Sequence, residues 1–95
     1  MRVLLIDDVR NLEADVIARN YSEGIRQLEL NGPWDLLLLD HDLASFIDGD
    51  EKTGYHVMCW LEEYTQYLPK KIECVSANPV GRAKIESVIN ILYRR

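Results

Sequence analysis

Apolar residues gather in three short runs along the chain, and each run empties into polar groups. "RVLLI" (Arg2 to Ile6) leads into Asp7 and Asp8, and the leucines Leu36 to Leu39, inside "PWDLLLLDHDLASF" (Pro33 to Phe46), lead into Asp40, His41 and Asp42. "KIECVSANP" (Lys71 to Pro79) closes on Ser76, Ala77 and Asn78. A continuous run such as Leu36 to Leu39, bounded by "NGP" and a charged loop, predicts a strand covered on both faces, as in a parallel sheet flanked by helices. The polar residues then begin where each strand leaves the core.

The segments between these runs carry helical spacing. Ser22 is the expected N-cap of "EGIRQLEL", with Ile25 and Leu28 one turn apart and Asn31-Gly32 as the stop. A second helix is expected from Gly54, with Val57, Met58, Leu61, Tyr64 and Leu68 on one side, ending before Pro69. The third starts at Pro79, turns Ile85, Val88, Ile89 and Leu92 inward, and leaves Arg82, Lys84, Arg94 and Arg95 to water. The last two arginines also suit the negative end of that helix. Met58 and Trp60 are expected in the core.

Val9 to Asn20 is ambiguous. "ADVIARN" suits a short strand, while Leu12, Val16 and Tyr21 permit a helix. The strand is the preferred reading, although it leaves only a loop where a parallel pair usually has a helical crossover. Strands alternating with helices then predict one α/β domain over residues 1–95. Its sheet is open and parallel, with about four strands, right-handed crossovers and the order 2-1-3-4.

Composition narrows the function classes. At 95 residues and 47% hydrophobic content the chain fits one small globular domain. A net charge of −5 argues against a broad DNA-binding or RNA-binding surface, which needs clustered Lys and Arg. No apolar stretch approaches the length of a membrane span, and "MRVLLIDD" has no signal-peptide pattern, so a cytoplasmic location is expected. Cys59 and Cys74 lack metal or redox spacing and read as reduced, small hydrophobes.

Chemistry concentrates at the strand ends, which border the usual ligand crevice of a parallel sheet. Asp7, Asp8 and Asp40 would meet there. Two charged carboxylates about 4 Å apart repel by roughly 4 kcal/mol at an effective dielectric near 20, so a cation or a proton is expected among them. Mg²⁺ suits such an all-oxygen site. Histidine is the side chain whose reference pKa lies closest to working pH, which makes His41 a candidate acid or base beside Asp42; His56 reads as a helix-surface residue. Ser76, Asn78, the first backbone N–H groups of the last helix and Arg82 form an expected anion cradle, which Arg10 would close from the other side. "ASFIDGDEKT" lacks the turn glycine and final glutamate of a calcium loop and reads as a mobile lid.

Asp7-Asp8, Asp40 after a leucine-rich strand, and Ser76-Ala77 after the next strand together resemble the receiver domain of response regulators. That resemblance implies Mg²⁺ on the acidic pair and an Asp40 that accepts a phosphoryl group. Receivers have a fifth strand ending in a lysine followed by proline; this sequence ends after the helix that follows strand four, and Lys84 lies within that helix. "DDVR" (Asp7 to Arg10), "LDHDL" (Leu39 to Leu43), "GYHV" (Gly54 to Val57) and "SANPVGR" (Ser76 to Arg82) resemble more closely the cyclic-phosphate processing receiver-like family. This second resemblance spans nearly the whole chain. It implies Mg²⁺-dependent handling of a phosphorylated small molecule or RNA end. The candidate metal ligands are then Asp7, Asp8 and Asp40, the phosphate-binding residues Arg10, Ser76, Asn78 and Arg82, and the catalytic residues His41, Asp40 and Asp42. The family often has a histidine before the strand-four serine, where Val75 stands here. The alternative is a non-catalytic signalling or interaction module that binds a protein partner.

Overall fold

The computed structural model describes residues 1–94. Strands β1 (Val3–Ile6), β2 (Val16–Ala18), β3 (Leu36–Leu39) and β6 (Lys71–Cys74) form a four-stranded parallel sheet in the order β2-β1-β3-β6. Its strands therefore run 2-1-3-4, as expected of an α/β receiver-like fold. Helices α1 (Tyr21–Leu30), α2 (Gly54–Glu63) and α3 (Pro79–Tyr93) follow β2, the hairpin of β4 (Ser45–Ile47) and β5 (Asp50–Lys52), and β6 respectively.

The disputed segment is a strand, and no helix separates it from β1. Residues 7–15 cross as a loop instead. Side chains rather than helical packing hold that loop: Asp15 accepts from Val3 N at 2.7 Å, and the Arg19 guanidinium donates to the Arg10 carbonyl at 2.7 Å and to Asn11 Oδ1.

β3 is expected to be covered on both faces, and packing covers them unequally. Leu37 and Leu39 are fully buried, whereas Leu36 and Leu38 are half-buried. Leu4, Ile6, Leu37, Leu39, Ile72 and Cys74, every second residue of adjacent strands, pack with Leu28, Val57, Met58, Leu61, Ile85 and Val88 of the helices. The steps from β2 to β3 and from β3 to β6 run the same way across the sheet, so right-handed crossovers put α1 and α2 on one face. Helix α3 packs on α2 beside them. Leu5 is buried on the opposite face between its neighbours Ile17 and Leu38. That face fades to the exposed ion pair of Lys71 and Glu73 at β6.

Several boundaries move for local reasons. Asn20, not Ser22, caps α1, its side chain accepting from Glu23 N at 2.9 Å. α2 stops at Glu63; Tyr64 and Leu68 lie beyond it, because the chain turns through a short 3₁₀ segment that stacks Tyr67 on Trp60 at 5.4 Å between ring centres. Met58 is buried and Trp60 packs against the core, as expected. In α3, Ile85 and Val88 are buried, Ile89 and Leu92 pack at the core margin, and Arg82 and Lys84 are exposed. Arg94 is the C-cap, and Arg95 lies outside the described residues.

The segment expected as a mobile lid is a β-hairpin, β4 (Ser45–Ile47) against β5 (Asp50–Lys52). Its turn residues Asp48 and Gly49 have φ of 52° and 82°, the conformation that an Asp-Gly pair favours between antiparallel strands. Both cysteines are free thiols, and Cys74 is buried.

Candidate functional site

Parallel register brings the acidic residues together. Ile6 pairs with Leu39, so Asp7 and Asp40, one residue further on, leave adjacent strands side by side; Asp40 N donates to Ile6 O at 3.0 Å. Asp7, Asp8 and Asp40 each present a carboxylate oxygen within 4.8 Å of the others. Asp7 is 0% exposed and Asp40 5%. Asp7 Oδ1 accepts from Val9 N at 3.0 Å and Arg10 N at 2.9 Å, a tight turn that folds the loop back over the strand ends.

That turn puts Arg10 on the carboxylates themselves. Arg10 Nη1 is 3.0 Å from Asp7 Oδ2 and 3.3 Å from Asp40 Oδ1. Burial pushes the Asp7 carboxyl up, but the backbone N–H groups of Arg10 and Val9 and the Arg10 guanidinium outweigh it and hold Asp7 below its ordinary value. Asp40 shifts the other way. Burial and the Asp7 charge raise it, and its hydrogen bonds and Arg10 only partly compensate. The two neighbours therefore differ in proton affinity, Asp7 being the firm anion.

Ser76 joins this group from β6. It is 4% exposed, and its hydroxyl is near enough to Asp40 to favour the charged carboxylate. The expected backbone cradle at the start of α3 is closed. Asn78 Oδ1 accepts from Val80 N at 3.1 Å and Gly81 N at 3.2 Å, and Asn78 O accepts from Arg82 N at 2.8 Å. Pro79 has no N–H to add. The side-chain donors that remain are the Asn78 amide, the Ser76 hydroxyl and the guanidinium groups. Arg82 turns along α3, its Nε 3.3 Å from Glu86 Oε2 and its Nη1 3.4 Å from the Ser76 carbonyl.

His41 follows Asp40 in the chain, and its ring is held by Asp42 and by the start of α3. Its Nδ1 lies 2.9 Å from Asp42 Oδ1. Because a carboxylate can only accept, this contact selects for the neutral ring the tautomer with its proton on Nδ1, which leaves Nε2 as the acceptor nitrogen. Two glycines set this geometry. A Cβ on Gly81 would stand 2.3 Å from His41 Cγ, and one on Gly54 would stand 2.0 Å from the Asp40 carbonyl oxygen. Gly54 N also donates to His41 O at 2.8 Å. Sequence reasoning missed both roles, although a glycine in the first turn of each of two helices has no propensity to recommend it and was the available signal. His56 is a capping residue rather than a surface one: its Nδ1 accepts from Thr53 N at 2.9 Å, completing a capping box at the start of α2.

Three carboxylates with no nitrogen or sulfur donor among them suit a hard divalent cation such as Mg²⁺. Among the described residues, no helix is long and apolar enough to cross a membrane. No curated protein and no solved structure matches the chain. Residues 2–91 match the family described as the cyclic-phosphate processing receiver domain, and with nearly its whole length inside that match the chain belongs to this family.

Proposed function

We propose that the strand ends bind a phosphate ester in a Mg²⁺-dependent manner and open a cyclic phosphate on a small molecule or RNA end. The supporting observation is the convergence of Asp7, Asp8 and Asp40 within 4.8 Å, with His41, its ring oriented by Asp42, next in the chain after Asp40. The carboxylates would hold Mg²⁺, whose charge would stabilise the phosphate oxygens as negative charge grows on them. Arg10, Ser76, Asn78 and Arg82 supply the donors at hand for the anion. His41 Nε2 accepts a proton from the attacking water, the new P–O bond replaces one ring P–O bond, and the released ribose oxygen takes its proton from solvent. Asp42 keeps the proton on Nδ1, so that Nε2 remains the base.

A second reading, a protein-docking module, is favoured by the exposed apolar side chains of Val9, Phe46 and Val80 in the segments that follow β1, β3 and β6. Turnover decides between them. Wild-type protein with Mg²⁺ should hydrolyse a 2′,3′-cyclic nucleotide or a cyclic-phosphate RNA end, and His41→Ala should slow it by about 10²-fold to 10⁴-fold while retaining binding. No turnover with Mg²⁺ or Mn²⁺ overturns the enzyme reading.

A further inference from the structure

Asp7 and Asp40 are buried carboxylates that already have a cation, and that cation is part of the chain. Arg10 Nη1 bridges one oxygen of each, at 3.0 Å and 3.3 Å. The backbone that carries Arg10 is fixed from two sides. Its N–H is bonded to Asp7 Oδ1, and its carbonyl accepts from Arg19 Nη1 at 2.7 Å. The side chain is another matter, being 33% exposed while Asp7 is 0% exposed. The guanidinium can thus leave by side-chain rotation into solvent without disturbing the loop.

We infer that Arg10 is an exchangeable counter-ion, which neutralises Asp7 and Asp40 until a divalent cation takes their oxygens and then turns its guanidinium to the phosphate. The inference rests on the metal-dependent reading above and adds to it an order of events and a coupling. A guanidinium and a divalent ion cannot share the same two oxygens, since the cations would repel at contact distance. Metal binding through those oxygens breaks the Arg10 contacts, and their loss weakens the apparent metal affinity. The freed guanidinium is a planar donor suited to two phosphate oxygens. Phosphate that captures it removes the competitor, so phosphate and metal each tighten the other by the same factor.

The test follows thermal stability against Mg²⁺ concentration, each protein compared with its own metal-free state. Arg10→Gln, which keeps donors and removes the charge, should lower the Mg²⁺ midpoint by roughly tenfold, and inorganic phosphate should lower the wild-type midpoint by a clearly larger factor than the variant's. Arg10→Lys should keep a midpoint close to the wild-type one. Should Arg10→Gln fail to fold, Arg10→Met, which keeps the length of the side chain without its charge, takes its place in the same comparison. An unchanged midpoint with phosphate, or stabilisation by phosphate that needs no metal, overturns the exchange. An Arg10→Gln midpoint equal to or above that of wild type overturns it as well, leaving the metal site intact. A response to Mg²⁺ in the variant with none in the wild type makes Arg10 a permanent counter-ion and overturns the exchange too. If neither protein responds to Mg²⁺ or Mn²⁺, the metal-dependent reading itself fails.

Discussion

Gly81 leaves to the imidazole of His41 the space its own side chain would fill, since a Cβ there would stand 2.3 Å from His41 Cγ and 2.6 Å from Nδ1. The first turn of α3 is in this way a wall of the His41 site. Helix propensity would favour alanine at this position, so packing against the ring decides for glycine.

Gly81→Ala should push the ring off that wall. The expected cost is about 1–3 kcal/mol, as for other overpacked sites, with the His41–Asp42 contact disturbed. Val80→Ala beside it, at a residue 67% exposed, should stay within about 0.5 kcal/mol. Urea denaturation of the two variants, with the His41 ring followed by NMR, checks the contrast; equal stabilities would contradict the packing.

The four leucines of β3 should separate by parity. Leu37→Ala removes a 0%-exposed side chain from the helix-packed core and should cost about 2–5 kcal/mol. Leu38→Ala acts on the half-covered face and should cost clearly less. Similar losses at both positions in a denaturation series would restore the two-sided burial that the sequence suggests.

Mg²⁺ should raise the melting temperature by binding the native state alone, an effect that grows with concentration above the dissociation constant. Asp8→Asn should remove most of this shift, because Asp8 is one of the three carboxylates within reach of a common ion. A shift that survives in Asp8→Asn and Asp7→Asn alike would place the ion elsewhere.

His56 gives stability a pH dependence of known sign. Burial, then the charges of Lys52 and His41, lower its pKa below the reference 6.5. The neutral ring accepts the Thr53 N–H, so the native state disfavours protonation. Its contribution is complete above the unfolded value of 6.5 and declines as pH falls through the lower native value. His56→Gln keeps an acceptor at the same capping position without titrating there. Denaturation midpoints between about pH 7.5 and about pH 5 should fall more steeply for wild type than for His56→Gln; parallel curves would remove His56 from the account.

The amino-acid sequence by itself determined three of the four sheet strands, the three helices and their order, but neither the β4–β5 hairpin nor, without ambiguity, β2. Apolar runs ending in Asp7, Asp40 and Ser76 mark three strands, Pro79 opens α3, and alternation of strands with helices implies a parallel sheet whose strand ends collect those polar groups. These are local features, set by periodicity and by what a backbone can do at Pro and Gly. Tertiary structure decided the rest. Which face of β3 is covered depends on the direction in which successive crossovers step, a property of the whole sheet that four leucines cannot encode. Arg10 lies on Asp7 and Asp40 because the Asp7 turn folds its loop back, and Asn78 caps α3 because its side chain reaches Val80 and Gly81 before any anion does. A spacing along the chain says which groups are near. Only the folded geometry says which of the available partners each charge and donor has taken.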